Sequence, residues 1–158
     1  MQVSLRVPGR VALLSLAVTL VSFAYAAGAA QAATVKGCVI KPRTDCSGKS
    51  MARAQLPGAQ LPGSVFYFTY LASANLRRAN LSGARMVGAN LTGADLRGAN
   101  LSGANLSGTN FTGADLSFAR LKGANAQGAV FVGALLDFAV MPDGSSSNSW
   151  CVIYQTCK

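Results

Sequence analysis

The sequence contains no histidine and no glutamate. Its side-chain acids are five aspartates: Asp45, Asp95, Asp115, Asp137 and Asp143. General acid–base catalysis commonly uses histidine or paired carboxylates, and metal sites use histidine, cysteine or acidic clusters. An activated nucleophile also needs a neighbouring base. The composition therefore makes an enzyme an unfavoured interpretation, and we expect no cofactor and no metal site.

Charge is scarce and one-sided. Charged residues make up 12% of the 158 residues, where an ordinary globular domain has about a quarter. The formal net charge is +9, and about +7 remains without Arg6 and Arg10. The basic residues are scattered along the sequence rather than clustered with aromatics, which favours a role in solubility over attraction to anionic polymers or membrane surfaces. No nucleic-acid partner is predicted.

Residues 1–32 have the features of a signal peptide. Arg6 and Arg10 form a short basic region, residues 11–30 are uncharged, and the Ala-Gln-Ala of residues 30–32 fits a cleavage site. Cleavage would leave an exported chain that begins at Ala33, with no stable membrane insertion. The alternative is an uncleaved anchor, because about twenty apolar residues can span a bilayer.

A five-residue repeat occupies residues 54–143. Eighteen apolar residues, here called centres, follow one another in steps of five from Leu56 to Met141. The residue two positions before a centre is alanine in fifteen units and serine or threonine in the other three. A period of five matches neither a helix (about 3.6) nor a strand (2). We leave Met51 outside the regular repeat, because Lys49 stands where a small residue is expected.

Glycine and proline occupy fixed places in this repeat. Glycine stands two positions after the centre in twelve units, and proline follows a centre directly at Pro57, Pro62 and Pro142. A type II turn favours proline at its second residue and glycine at its third. Four such turns close a square coil of twenty residues, with the centres and small residues inside. Ala126 is an undersized centre, and we expect Phe131 to fill the space that it leaves.

Units such as Ala-Asn-Leu-Ser-Gly (79–83) and Ala-Asp-Leu-Arg-Gly (94–98) resemble those of the pentapeptide repeat proteins. The resemblance covers about 90 of the 158 residues. It implies an all-β fold, the right-handed quadrilateral β-helix, with about 4.5 regular coils and disulfide-bearing caps. The expected organisation is a signal peptide (1–32), an N-terminal cap (33–53), the β-helix (54–143) and a C-terminal cap (144–158).

Two cysteines precede the repeat, Cys38 and Cys46, and two follow it, Cys151 and Cys157. Four cysteines allow three pairings. About five coils stacked at a strand spacing of ~4.8 Å separate the two pairs by ~20 Å, whereas a disulfide needs Cα atoms within ~7 Å. Local pairing, Cys38 with Cys46 and Cys151 with Cys157, is therefore predicted.

The polar outward positions are interpreted as structural. Asparagines precede many centres at twenty-residue spacing, for example Asn80 and Asn100, and such side chains can hydrogen-bond from coil to coil. Asp95 and Asp115 should lie near Arg97. We favour charge compensation on a solvated face, with a binding stripe as the alternative.

Two groups of apolar side chains are predicted to point outward near the ends of the repeat. The candidate interaction surface consists of Val65, Tyr67, Phe68, Tyr70, Val130, Val132, Leu135 and Phe138. Apolar clusters that face solvent indicate a partner or a covering segment. Either residues 35–40 and 150–154 cover the two groups as caps, or the groups form an interface with a protein or with a second copy of the chain.

These observations favour an exported, non-catalytic scaffold or protein-interaction module. Its partner is an unknown protein or an anionic polymer of the cell envelope. The family resemblance implies an alternative for some members, a topoisomerase-directed inhibitor that mimics DNA. That activity requires an acidic rod in the cytoplasm, whereas this chain is basic and begins with the features of an export signal.

Overall fold

The computed structural model describes residues 34–146, so the predicted signal peptide and second disulfide lie outside the described residues. The described chain begins with a hairpin in which β1 (Thr34–Val35) pairs antiparallel with β2 (Cys38–Val39). A disulfide joins Cys38 to Cys46, whose Cα atoms are 5.4 Å apart, in agreement with the predicted local pairing. No helix among residues 34–146 is long and apolar enough to span a membrane.

From Asp45 onward the chain winds in coils of twenty residues. One residue of each unit forms a parallel bridge with the residue twenty positions later, from Asp45–Val65 to Arg120–Val140. The bridges are isolated because a turn every five residues leaves no room for a longer strand. They start before Ala54, so the segment assigned to an N-terminal cap contains coil backbone in addition to the hairpin.

A tight turn follows the centres. In the unit that starts at Leu56, the Ala59 N–H donates to the Leu56 carbonyl at 3.2 Å, and the φ of Gly58 is 67°. The same bond recurs from unit to unit along the coils. A positive φ at the third residue is the geometry of a type II turn. The turn predicted from the positions of glycine and proline is thus the turn that the structure contains.

The centres and the small residues form the interior of the coils. Leu61, Leu81, Leu101 and Leu121 follow one another at twenty-residue spacing, and all four side chains are fully buried. Cys46 and Met51 are buried at the two preceding centre positions, so the regular interior begins before Leu56. Lys49 occupies a position where the repeat has a small residue, and its side chain is exposed. It lies in the first of the coils that the structure describes.

The undersized centre, Ala126, is half-buried. The ring of Phe131 stacks on Phe111 of the preceding coil, with ring centroids 5.1 Å apart and planes inclined by 8°. Phe131 therefore packs along its own column of centres.

The asparagines before the centres have a local role in addition to the expected coil-to-coil bonding. The coil-to-coil bonds occur at Asn75 and Asn80, whose side-chain amides donate to Gln55 Oε1 at 3.1 Å and Gln60 Oε1 at 3.2 Å, twenty residues earlier. In the unit of Asn80, the backbone donors of Leu81, Gly83 and Ala84 bond to carbonyl groups, while the Ser82 N–H bonds to the Asn80 side-chain oxygen at 3.2 Å. The same bond occurs in ten units with asparagine or aspartate at this position. Asparagine or aspartate thus satisfies the one backbone N–H per unit that the coil leaves without a carbonyl partner.

The coil ends in a reversal of the chain. Val140 forms an antiparallel bridge with Ser146, and the Met141 N–H donates to the Ser145 carbonyl at 2.9 Å. The segment 150–154, expected to form part of a C-terminal cap, lies outside the described residues.

Candidate functional site

The turns contain the main departures from the regular repeat. Their third residue has a positive φ and is usually glycine. Other residues take the same conformation at seven of these positions: Arg43, Arg53, Phe68, Ser73, Arg78, Phe118 and Phe138. The left-handed region costs an L-residue with a Cβ about 1–2 kcal/mol. A large side chain at such a position therefore needs a compensating reason.

Phe68, Phe118 and Phe138 are the three most exposed large apolar side chains among residues 34–146, at 73%, 61% and 74%. Burial of an aromatic ring, the ordinary source of its stabilising effect, does not offset the backbone cost here. Backbone held in a rarely populated conformation is often found at functional sites. The three phenylalanines are therefore the strongest candidates for contact with another molecule.

Two of these rings form a pair on the outside of the coils. Phe118 and Phe138 stack with centroids 5.1 Å apart and planes inclined by 13°. With the exposed side chains of Val130, Val132 and Leu135, they form what we call the C-terminal apolar belt. The predicted surface did not include Phe118, although its twenty-residue spacing from Phe138 places both rings at the same corner of neighbouring coils.

The other predicted group, here called the N-terminal aromatic patch, consists of Val65, Tyr67, Phe68 and Tyr70. Tyr70 is 47% exposed, whereas Val65 and Tyr67 are half-buried. The Phe68 ring lies over the backbone of Gly88, where an added Cβ would stand 2.5 Å from the ring atom Cε1. Gly88 thus provides room for the ring in addition to its positive φ.

The aromatic patch and the apolar belt are separate surfaces. Tyr70, Asn90, Asn110 and Val130 belong to one column of parallel bridges, so Tyr70 and Val130 lie three coils apart. Asn90 and Asn110 between them are polar. The structure therefore divides the eight predicted surface residues into two groups.

A small charge cluster lies on an intervening part of the surface. Arg97 Nε donates to Asp95 Oδ1 at 2.9 Å and lies 3.4 Å from Asp115 Oδ2. The hydrogen bond from Arg97 lowers the pKa of Asp95, and the same bond raises the pKa of Arg97. One arginine thus serves two carboxylates at the surface, an arrangement that fits charge compensation.

In the described part of the chain, no group of three or more histidine, cysteine or acidic side chains is placed to hold a metal ion. The structure contains stacked coils with apolar rings at some corners. The arrangement is suited to presenting side chains to another molecule.

The profile of pentapeptide repeats matches residues 74–113 and 114–142, with eight copies. HetL, a pentapeptide repeat protein of the cyanobacterium Nostoc involved in heterocyst differentiation regulation, is 35% identical with a TM-score of 0.63. The match covers 66% of this chain and 50% of HetL, so the chain spans half of the length of HetL. A comparison with curated protein sequences gives no significant match.

Two further solved structures are similar. A pentapeptide repeat protein from the Arabidopsis thaliana thylakoid lumen is 31% identical over 71% of this chain and 75% of that protein, with a TM-score of 0.42. A pentapeptide repeat protein of the cyanobacterium Cyanothece is 29% identical over 60% and 61% of the two chains, with a TM-score of 0.48. The match to the repeat profile, the similarity to HetL and the bridged coils lead to one conclusion: the chain belongs to the pentapeptide repeat family, whose members form right-handed quadrilateral β-helices.

Proposed function

We propose that this chain is an exported, non-catalytic interaction module that binds a protein partner through the phenylalanines of its C-terminal apolar belt. One observation carries the proposal: Phe118 and Phe138 have positive φ, where glycine would be favoured, and their rings lie in solvent. The backbone cost and the exposure both act against stability, so a contact with another molecule is the simplest reason to keep the two rings.

The geometry of the pair favours a protein interface. Aromatic side chains are enriched at the centres of protein interfaces, where they contribute much of the binding free energy. Because the two rings are already stacked, their immobilisation on binding costs less entropy than that of two independent side chains. Val132 and Leu135, in the same coil as Phe138, are also exposed.

Two features of the architecture belong to the same proposal. The regular repeat of residues 54–143 makes about 4.5 coils, and each end of the stack is closed by a cap that contains a disulfide, Cys38–Cys46 at one end and Cys151–Cys157 at the other. The disulfide that holds the N-terminal hairpin against the first coil supports this arrangement. Solenoids commonly need such ends to protect their unpaired edges.

Export rests on the features of residues 1–32. The test is N-terminal sequencing of the protein recovered from the medium or the envelope of its source cells. We expect the sequence to begin at Ala33. An intact N-terminus on a membrane-retained chain would instead establish the anchor.

The charges of the described side chains do not support the alternative function, a topoisomerase-directed inhibitor that mimics DNA. Residues 34–146 contain 11 basic and five acidic side chains. Two of those acids, Asp95 and Asp115, share an arginine. A mimic of the DNA backbone needs the opposite balance.

Photo-crosslinking tests the interaction surface directly. A photoreactive phenylalanine analogue replaces Phe118 or Phe138, and a matched control carries it at the exposed Gln127, half a coil away. In source cells, we expect both belt positions to label the same protein, which the control position does not label. Labelling from all three positions alike, or from none, would contradict the proposal. Crosslinks confined to residues 150–158 of the same chain would assign the belt to the C-terminal tail instead.

A further inference from the structure

The charge of the described chain is distributed unevenly along the stack of coils. Residues 34–94 contain one acidic residue, Asp45, and residues 95–146 contain four. The basic residues of the first segment are Lys36, Lys41, Arg43, Lys49, Arg53, Arg77, Arg78 and Arg85, and those of the second are Arg97, Arg120 and Lys122. The first segment thus has a formal charge of +7 and the second a formal charge of −1.

The two segments of different charge also lie at different positions along the stack of coils. Each coil pairs with the coil that follows it, twenty residues later, so chain order is also the order along the stack. The hairpin and the first coil contribute five exposed cations, which we call the basic collar: Lys36, Lys41, Arg43, Lys49 and Arg53. The scatter of basic residues noted in the sequence therefore becomes a concentration of positive charge at one end.

The collar has little compensation from acidic side chains. The ion pairs of Arg97 with Asp95 and Asp115 lie in the other segment. The one acid of this segment, Asp45, accepts hydrogen bonds from the Ser47 hydroxyl at 2.6 Å and the Ser47 N–H at 2.9 Å. These bonds, and to a smaller extent the charge of Lys49, lower the pKa of Asp45, so one acid faces five cations. The field of the collar therefore extends into solvent.

Two collar arginines are retained at a backbone cost. Arg43 and Arg53 have φ of 56° and 58°, at turn positions that glycine would occupy with less strain. The Arg43 side chain runs along its corner, with Cγ 3.5 Å from the position of a Cβ on Gly63 of the next coil. Like the exposed phenylalanines, these arginines are not explained by the needs of the fold.

We propose that the N-terminal coils and their basic collar bind an anionic polymer, with repeated carboxylate, sulfate or phosphate groups. Arg43 and Arg53 stand at different corners of one coil, so a single small anion does not contact both, whereas a polymer strand that curves around the coil does. This surface lies apart from the apolar belt. The choice of a cell-envelope polymer over nucleic acid rests on the export included in the proposed function.

The test measures binding of the purified protein to immobilised dextran sulfate, with neutral dextran as the blank, over a range of salt concentrations. The test variant is Arg43→Gly with Arg53→Gly, and the matched control is Arg120→Gln with Lys122→Gln, which removes the same charge from the other segment. We expect the test variant to bind about tenfold more weakly, with a log–log salt slope smaller by about two. The control should change affinity less than about twofold.

Folding of the variants does not confound this comparison. Glycine is well suited to the positive φ of both test positions, and thermal unfolding of each variant verifies that it is folded. Equal losses in test and control variants would show that only net charge matters, and would overturn the proposal. So would binding to neutral dextran at the same level.

A thirty-nucleotide oligothymidylate distinguishes the polymer classes. Tighter binding to this probe than to dextran sulfate would overturn the envelope polymer and assign the collar to nucleic acid. A Phe138→Ser variant separates the two proposals, because it should lose the protein crosslink and keep its affinity for dextran sulfate. If either the protein interface or the polymer-binding collar is disproved, the other proposal can still be tested by its own assay.

Discussion

The final coil offers a direct test of whether an exterior aromatic ring serves the fold. Two phenylalanine pairs stack at the same centroid distance of 5.1 Å, one inside the coils and one outside. Phe131 is 8% exposed and Phe138 is 74% exposed. The perturbations are Phe131→Ala for the inner ring and Phe138→Gly for the outer ring. Because both residues lie in the same coil, fraying of that end affects the two variants alike.

The expected magnitudes differ clearly. Removing a buried phenylalanine typically lowers the free energy of unfolding by about 3–5 kcal/mol. Removing Phe138 loses a stacking contribution of about 1 kcal/mol, and glycine adds about 0.5–1 kcal/mol of chain entropy. Relief of the positive φ, 58° at this residue, returns about 1–2 kcal/mol. We therefore expect Phe138→Gly to change the free energy of unfolding by less than about 1 kcal/mol.

Urea denaturation followed by circular dichroism measures both variants. The slope of the transition must stay unchanged, because stacked repeats can lose two-state behaviour when an end coil weakens. A loss of about 3 kcal/mol or more in Phe138→Gly would refute the reasoning. Its ring would then be part of the folded core or of a cap, and the proposed interface would lose its main support.

Two further predictions concern single contacts. Gly88→Ala should destabilise the protein more than Gly83→Ala, because both have positive φ but only Gly88 lies beneath the Phe68 ring; equal losses in urea denaturation would contradict this contact. The depressed pKa of Asp95 makes its pairing with Arg97 stabilising above the unfolded-state pKa, and this stabilisation is lost as pH falls through the lower folded pKa. Arg97→Gln should therefore lose less stability than the wild type between pH 7 and pH 2, by under about 1 kcal/mol at this exposed site, and an unchanged pH profile would argue against the pair.

The sequence by itself determined the period, the turn and the interior. Each depends on local preferences: proline and glycine at fixed turn positions, an apolar centre and a small residue before it. A five-residue unit repeats these preferences so often that tertiary context does not change them. The local disulfide between Cys38 and Cys46 was predictable because the expected stack of coils separates them from the two cysteines after the repeat by more than a disulfide can span.

The start of the coil and the role of asparagine needed the structure. Lys49 breaks the sequence pattern, yet the Ser50–Tyr70 bridge continues the ladder, because backbone pairing does not require a buried side chain in the first coil. The asparagine before the centre was interpreted as a partner for a neighbouring coil, and Asn75 and Asn80 do donate to glutamines of the preceding coil. Only the folded backbone shows its second role, in which the side-chain oxygen accepts a hydrogen bond from an N–H of its own unit that has no carbonyl partner in the coil.

Tertiary structure also decided what lies on the surface. The stacking of Phe118 on Phe138 and the cover of Gly88 by Phe68 join residues twenty positions apart, and the collar gathers cations that look dispersed in the sequence. The physical reason is the difference between two periods. The five-residue period is set by turns within the chain, whereas surface neighbours are set by the twenty-residue register between coils, which exists only after the chain has closed its square.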